Sequence, residues 1–224
     1  AFYTGNFFQL LMPFALVAGL VSLGMIVTQG AAVIAGRTTG PLADRARTYG
    51  TWSGLATIVL FALAGLWVAF GMDGYTITSV VDANGAINPL GKTVTLVHGG
   101  WVSNYGLYPW MISAPVLGFL GLIGAVLGLQ ARLRVPTLVA SSIAIFGIIA
   151  TAGLSLFPFL LPSSTVLNSS LTLWDASSSH LTLFVMLLAT VIFLPIVLVY
   201  TGYVFRVMRG PVTTQSLEKN PNAY

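Results

Sequence analysis

The chain has 224 residues, of which 56% are hydrophobic and only 6% are charged, and its formal net charge is +4. Its mean hydropathy of +0.91 is far above that of water-soluble domains. These values exclude a soluble globular domain and predict an integral membrane protein. The chain contains no cysteine, which excludes disulfides, thiolate nucleophiles and thiolate-held iron–sulfur clusters or haem.

Five continuous apolar segments are long enough to cross a hydrocarbon core as helices, which takes about 20 residues. None contains Asp, Glu, Lys or Arg in its interior. A transmembrane β-barrel would instead alternate apolar and polar residues. We therefore predict an all-α integral membrane protein, with one transmembrane helical domain over residues 1–210 and a tail over residues 211–224. The predicted spans are residues 7–35, 51–72, 107–131, 135–161 and 181–205.

The connections between these spans differ in charge. Eight of the nine Lys and Arg residues follow the first, third or fifth span: Arg37, Arg45, Arg47, Arg132, Arg134, Arg206, Arg209 and Lys219. The opposite connections carry Asp73, Asp82 and Asp175 with only Lys92. Because basic loops stay in the cytoplasm, we expect a cytoplasmic C-terminal tail. The net charge then reflects membrane topology, and we expect no nucleic-acid partner.

Small residues recur at helical spacing in the third and fourth spans. They are Gly118, Gly121, Gly124 and Gly128 in the third span, and Ala140, Ala144, Gly147 and Thr151 in the fourth. Small faces let two helix backbones approach closely where lipid supplies no hydrophobic drive for association. With the short link from Arg132 to Arg134, this pattern predicts a tight antiparallel helix pair.

A polar connection, FPFLLPSSTVLNSSLTLWDASSSHLTL, joins the fourth and fifth spans over residues 157–183. Pro158 and Pro162 stop the preceding helix, since proline removes an amide donor. We expect Trp174 to anchor at the membrane surface and Asp175 to cap the free amides of the last span. We interpret the connection as an assembly and rigidity element outside the cytoplasm. Its candidate structural or interface residues are Asn168, Trp174, Asp175 and His180.

The connection over residues 73–106 is long for a link between two helices. It contains the turn signals Asn84-Gly85 and Asn88-Pro89. Aromatic residues gather where it meets the third span, as they do at membrane surfaces: Trp101, Tyr105, Tyr108 and Trp110. We expect an ordered or half-ordered loop outside the cytoplasm that faces a partner.

Few polar groups lie within the spans. Gln29 is the most polar group near the inner end of the first span, and an interhelical hydrogen bond is favoured there over a quinone or substrate contact. The only histidines are His98 and His180, and neither lies inside a span. A lone histidine at the interface is more often a hydrogen-bonded cap than a haem ligand. The sequence shows no catalytic triad, metal-ligand cluster or phosphate-binding loop, so we expect no catalytic residue.

Four blocks of the sequence carry a family resemblance, and they follow one another in the family's order across nearly the whole chain. The blocks are GNFFQLLMPFALVAGLVSLGMIVTQGA at 5–31, FALAGLWVAFGMDGY at 61–75, NPLGKTV at 88–94 and TAGLSLFPFLLPSSTVLNSSLTLWDASSSHLTL at 151–183. Together they resemble subunit II of the bacterial cytochrome bd quinol oxidases. That subunit is about twice as long, and the resemblance is to its second half. The chain also begins Ala-Phe-Tyr without a methionine or signal sequence, so we expect a piece of a longer membrane protein.

The resemblance implies a four-helix bundle plus one peripheral helix in the bacterial cytoplasmic membrane. It also implies a supporting role beside subunit I, the partner that carries haems b and d and oxidises quinol. This chain would then hold no haem and would support electron transfer from quinol to oxygen, with water formation and charge separation. Some members hold a structural quinone in subunit II, so the resemblance allows a quinone, besides membrane lipid and a small accessory subunit.

Two other functions are open from the residues alone. Half of a membrane transporter or permease would also show kinked helices and a fragmentary set of spans. A transporter core usually carries broken helices or buried polar groups near the membrane midplane, and such groups are sparse in these spans. A purely structural assembly protein would differ from an oxidase subunit only in lacking an oxidase partner.

Overall fold

The computed structural model describes residue 8, residues 11–79, residue 88 and residues 90–207. The helices are α1 (Pro13–Arg37), α2 (Pro41–Phe70), α3 (Ser103–Leu107), α4 (Ser113–Gln130), α5 (Arg134–Leu156), α6 (Leu173–Ala176) and α7 (His180–Val207). The strands are β1 (Asp73–Ile77), β2 (Val94–His98), β3 (Phe159–Leu161) and β4 (Leu171–Thr172). The predicted tail at 211–224 and the Asn84-Gly85 turn lie outside the described residues.

Five helices are long and apolar enough to cross a membrane: α1, α2, α4 with the turn before it from Pro109, α5 and α7. This confirms the predicted fold class, to which the structure adds four short strands. The helix bounds differ from the predicted spans where local chemistry and not hydropathy sets them. α2 begins at Pro41 instead of residue 51, because proline starts a helix well and the polar residues that follow it continue the helix.

Helix α5, which forms the fourth predicted span, ends earlier than predicted, again because of a proline. α5 ends at Leu156, two residues before Pro158, because proline disfavours the helical conformation in the residue before it. The last three residues of that predicted span, Phe159–Leu161, form β3 instead. The chain therefore leaves the bundle here as an extended strand.

The predicted antiparallel pair is confirmed by α4 and α5. A Cβ atom placed on Gly121 would overlap the backbone of Ala144, and one placed on Gly147 would overlap the backbone nitrogen of Gly118. At the other end of the pair, a Cβ on Gly128 would overlap the Thr137 hydroxyl. The two backbones thus touch along the whole stripe of small residues.

The helices α1, α2, α4 and α5 form the four-helix bundle. Its centre is a cluster of Val21, Leu122, Ala144 and Ile148, against which Met25 packs. α1 and α2 also meet at small residues, where Gly24 lies against the Thr57 hydroxyl and Gly50 against the Ala31 side chain. Small-residue contacts therefore position both halves of the bundle.

Helix α7 lies at the periphery. None of its residues is buried, although its composition is the most apolar of the five spans. One contact that ties it to the bundle places the Arg37 guanidinium carbon 5.9 Å from the centre of the Phe205 ring. This arrangement agrees with the expected bundle plus one peripheral helix.

Candidate functional site

At the end of the bundle where α2 and α5 end and α7 begins, the connections fold into one compact unit. We call this unit the cap and define it as the described residues of 73–108 together with 157–179. β1 and β2 pair in antiparallel fashion, with Asp73 opposite His98 and Ile77 opposite Val94. β3 and β4 form a second, shorter hairpin. The described parts of both predicted loops are therefore folded, and they are in contact.

A buried ion pair joins the two connections of the cap. The Lys92 ammonium nitrogen lies 2.7 Å from Asp175 Oδ2, and the two side chains are 3% and 9% exposed. The same oxygen accepts a 3.0 Å hydrogen bond from the Thr172 backbone nitrogen and a 2.6 Å bond from the Thr172 hydroxyl. A buried charge is costly unless it is paired and hydrogen-bonded, and these contacts supply both.

Two opposing effects set the pKa of Asp175. Burial disfavours the charged carboxylate and alone would raise its pKa, whereas the hydrogen bonds from Lys92 and Thr172 lower it. The hydrogen bonds prevail, so the pKa of Asp175 lies below its ordinary value of 3.8. The carboxylate is therefore charged at neutral pH and holds Lys92 as an ion pair.

The depressed pKa predicts a specific acid sensitivity. When the pKa of an aspartate is lower in the folded than in the unfolded state, the aspartate stabilises the fold at pH values above its unfolded pKa. This stabilisation is lost as the pH falls through the folded pKa. We expect the thermal midpoint of the wild-type complex to fall from about pH 4 downward, and to fall less in Asp175→Asn. The control is Asp73→Asn, which changes an exposed carboxylate. Its thermal midpoint should fall with pH as steeply as that of the wild type.

The position of Asp175 corrects one sequence prediction. Asp175 lies in the first turn of α6 and forms a reciprocal capping box with Thr172, so it does not cap the last span. Ser179 takes that place at the start of α7, where its hydroxyl accepts a 3.4 Å hydrogen bond from the Thr182 backbone nitrogen. The sequence did not reveal α6, a helix of only four residues, which separates Asp175 from α7.

Side-chain to backbone hydrogen bonds reinforce the contact between the two connections. Asn168 Oδ1 accepts a 2.9 Å bond from the backbone nitrogen of Val94 in β2. The Tyr75 hydroxyl donates a 3.1 Å bond to the Ser163 carbonyl. Asn104 Nδ2 donates to the Leu154 carbonyl at 3.0 Å and also to the Phe157 carbonyl. These bonds hold the cap to itself and to the end of α5.

Aromatic rings fill the interior of the cap. The Trp101 ring centre lies 5.2 Å from that of Tyr75 and 6.3 Å from that of Phe159. Trp174, predicted to anchor at the membrane surface, packs edge-on against Phe157 with 6.1 Å between ring centres. Such geometries stabilise a structure beyond simple area burial, so the rings add rigidity to the polar bonds.

The two remaining sequence candidates lie apart from the ion pair. His180 is the first residue of α7 and is exposed. Gln29 lies near the opposite end of the bundle, where its Nε2 donates a 3.3 Å hydrogen bond to the Ser142 hydroxyl of α5. This is the expected interhelical bond. The other amide atom, Gln29 Oε1, is buried without a hydrogen-bond partner among the described residues.

Lys92 is the residue that sequence reasoning missed. It stood out only as the one basic residue among outer acids, within the block NPLGKTV. Within the described ranges, no group of three or more His, Asp or Glu side chains could hold a metal ion. The cap therefore contains an ion pair, hydrogen bonds and ring contacts that fix its two connections against each other.

Comparison with known proteins decides the family. A family model described as cytochrome bd terminal oxidase subunit II matches residues 1–208. The chain belongs to this family. It is 45% identical over 222 residues to the cytochrome bd-I ubiquinol oxidase subunit 2 of Escherichia coli K12, covering 99% of this chain and 59% of that protein. It is also 38% identical over 221 residues to a probable cytochrome oxidase subunit 2 of Haemophilus influenzae, covering 99% and 58% respectively.

The comparison confirms the resemblance drawn from the four sequence blocks. The chain spans about three-fifths of the length of these subunit II relatives. Three of the four sequence blocks that carried the resemblance contribute residues to the cap. They are the end of the block at 61–75, the block at 88–94 and most of the block at 151–183. The cap is thus built largely from the sequence that identified the family.

Proposed function

We propose that this chain is a haem-free, non-catalytic part of subunit II of a bacterial cytochrome bd-type quinol oxidase. In this role it supports subunit I, which carries haems b and d, in electron transfer from quinol to oxygen with water formation and charge separation. The family match over residues 1–208 is the observation that carries the proposal. Membrane lipid, a quinone and a small accessory subunit are further partners in the same proposal.

The cap supports a structural role within that subunit. Its ion pair is buried, its carboxylate oxygen accepts three hydrogen bonds, and its aromatic rings are packed. We infer that Asn168, Trp174 and Asp175 maintain one rigid surface at this end of the bundle. Gln29 fixes α1 against α5, and His180 begins the peripheral helix. In this proposal, none of these five residues takes part in catalysis.

The donor set of the chain supports placing the haems on another subunit. An axial haem ligand at bilayer depth is normally His, Met, Cys or Tyr. Both histidines lie at helix ends or in the cap and are exposed. Met25, which lies within α1, packs against the apolar bundle centre. The residues therefore do not present an inward-facing histidine pair that would hold a haem between these helices.

The proposed location is the bacterial cytoplasmic membrane, with the C-terminus in the cytoplasm and the cap on the opposite side. The basis is the eight-to-one distribution of basic residues, which follows the positive-inside rule. In the fold, the α1–α2 turn, the α4–α5 turn and the end of α7 all carry arginine. The arginines that the structure describes thus lie at the end of the bundle away from the cap.

This topology is testable because the chain has no cysteine of its own. A single cysteine at Ser178, which is exposed in the cap, should react with a membrane-impermeant maleimide added outside intact cells. Thr39→Cys, in the exposed α1–α2 turn, is the matched control and should react only after the membrane is opened. Labelling of Ser178→Cys only from the cytoplasmic side would contradict the proposed orientation.

The oxidase role is tested by purifying the native complex through an affinity tag on this chain in a mild detergent. We expect haem bands in the reduced-minus-oxidised visible spectrum, in constant ratio to the tagged chain. A complex that lacks haem but binds or moves a solute would favour the transporter alternative. Haem bands that disappear in His180→Ala, while all subunits remain, would contradict the haem-free assignment.

A further inference from the structure

A groove lies between the peripheral helix and the bundle, at the end away from the cap. Its volume is about 890 Å³, near the upper limit of typical small-molecule pockets at about 1,000 Å³. Its walls are largely apolar, formed by Val33 of α1, by Val135 and Leu138 of α5, and by Gly202 and Phe205 of α7. The groove is therefore suited to hydrocarbon along most of its length.

The mouth of the groove is strongly basic. Arg37 is the last residue of α1, Arg134 is the first of α5, and Arg206 lies in the last turn of α7, and all three line the groove. No Asp or Glu lines it among the residues that the structure describes. Arg134 and Arg206, the two that the groove brings together from α5 and α7, carry like charges that repel one another, and a bound anion would offset that repulsion.

The position of the charges relative to the apolar walls identifies the class of ligand. The arginines mark the ends of three membrane-spanning helices, the level at which lipid headgroups lie. The apolar walls extend from there towards the membrane interior. Arginine binds phosphate through paired N–H donors. An anionic headgroup at the mouth and acyl chains along the walls would match both parts of the groove.

We propose that this groove binds an anionic phospholipid, with its phosphate against Arg134 and Arg206 and its acyl chains between α5 and α7. The lipid would fill the space that separates the peripheral helix from the bundle. It would thereby supply packing to a helix that has no buried residue of its own. This inference goes beyond the proposed oxidase role, because it concerns what holds α7 in place.

The test measures lipid binding by the purified complex that contains this chain. The delipidated complex is titrated in detergent with phosphatidylglycerol or phosphatidylcholine, and bound lipid is counted by native mass spectrometry. Each cation near an anionic lipid strengthens binding roughly fivefold. The double variant Arg134→Gln/Arg206→Gln should therefore bind phosphatidylglycerol about 25-fold more weakly than wild type. Arg45→Gln, an exposed cation of the same end outside the groove, should bind like wild type.

Two further variants keep the test decisive. Arg206→Gln lies on a helix without buried residues, so it makes the same comparison if the double variant fails to assemble. Arg206→Lys, which keeps the charge but not the paired N–H donors of arginine, should restore part of the binding. Equal binding of both lipids by wild type, or unchanged phosphatidylglycerol binding in the variants, would overturn the proposal. The proposal would also be overturned if a neutral isoprenoid, a protein segment or a second copy of the chain occupied the groove in place of phospholipid. Haem content is measured alongside, so that failure here is distinguishable from failure of the oxidase role.

Discussion

Replacing Lys92 by methionine is expected to cause one of the largest stability losses of any single change in the cap. The substitution leaves the Asp175 carboxylate 9% exposed and without its cationic partner. Breaking a buried ion pair by removing one partner typically costs about 3–5 kcal/mol, because the remaining charge stays uncompensated. We expect a lower thermal midpoint and a lower yield of the assembled complex, measured by fluorescence-detected size-exclusion chromatography after heating.

The control for this experiment is an exposed pair in the same cap. His98 Nδ1 lies 3.2 Å from Asp73 Oδ1, and both side chains are more than half exposed. Exposed pairs contribute about 0–1 kcal/mol, so His98→Ala should have little effect. The double variant Lys92→Met/Asp175→Asn should lose less than the sum of the single variants, since the two residues interact. Additive losses would show that the pair does not act as a unit.

Replacing Gly147 by alanine is expected to separate α4 from α5. The added Cβ atom would overlap the backbone nitrogen of Gly118, and a helix backbone cannot yield as the end of a flexible side chain can. Overpacking of this kind costs about 1–3 kcal/mol and sometimes more. We expect reduced thermal stability of the complex and reduced expression of the intact chain.

The matched control is Gly153→Ala on the same helix. A Cβ atom placed on Gly153 meets nothing within 4 Å, and alanine is favoured over glycine in a helix interior by roughly 0.5–1 kcal/mol. This variant should therefore be neutral or slightly stabilising. Equal destabilisation by both substitutions would show that helix flexibility, and not the contact with α4, explains the effect.

The fold was largely predictable from the sequence because its main determinant is hydrophobicity. Five apolar segments must become helices in lipid, where every backbone polar group needs an internal partner. The contact of α4 with α5 also followed from the sequence, since glycine and alanine at helical spacing allow close approach. Helix ends were predicted less well. α2 begins before its predicted span because Pro41 starts a helix well and the polar residues after it continue the helix.

The centre of the cap was not predictable from the sequence in the same way. Lys92 and Asp175 are separated by 83 positions, and no local pattern pairs residues at that distance. The capping role of Asp175 was assigned to the nearest long helix, whereas the short α6 uses it. Buried ion pairs depend on how distant loops meet, which periodicity and composition do not encode.

The most direct test of the structural role of the cap is the quinol oxidase turnover of the Asp175→Asn complex, expressed per remaining haem. Asparagine can still accept the Thr172 hydrogen bonds, but it removes the negative charge that faces the buried Lys92. A structural role of Asp175 predicts lower recovery and thermal stability of the complex, with near-normal turnover per haem. Full assembly with intact haem spectra, combined with many-fold slower quinol oxidation, would contradict it and would place Asp175 in catalysis or proton access.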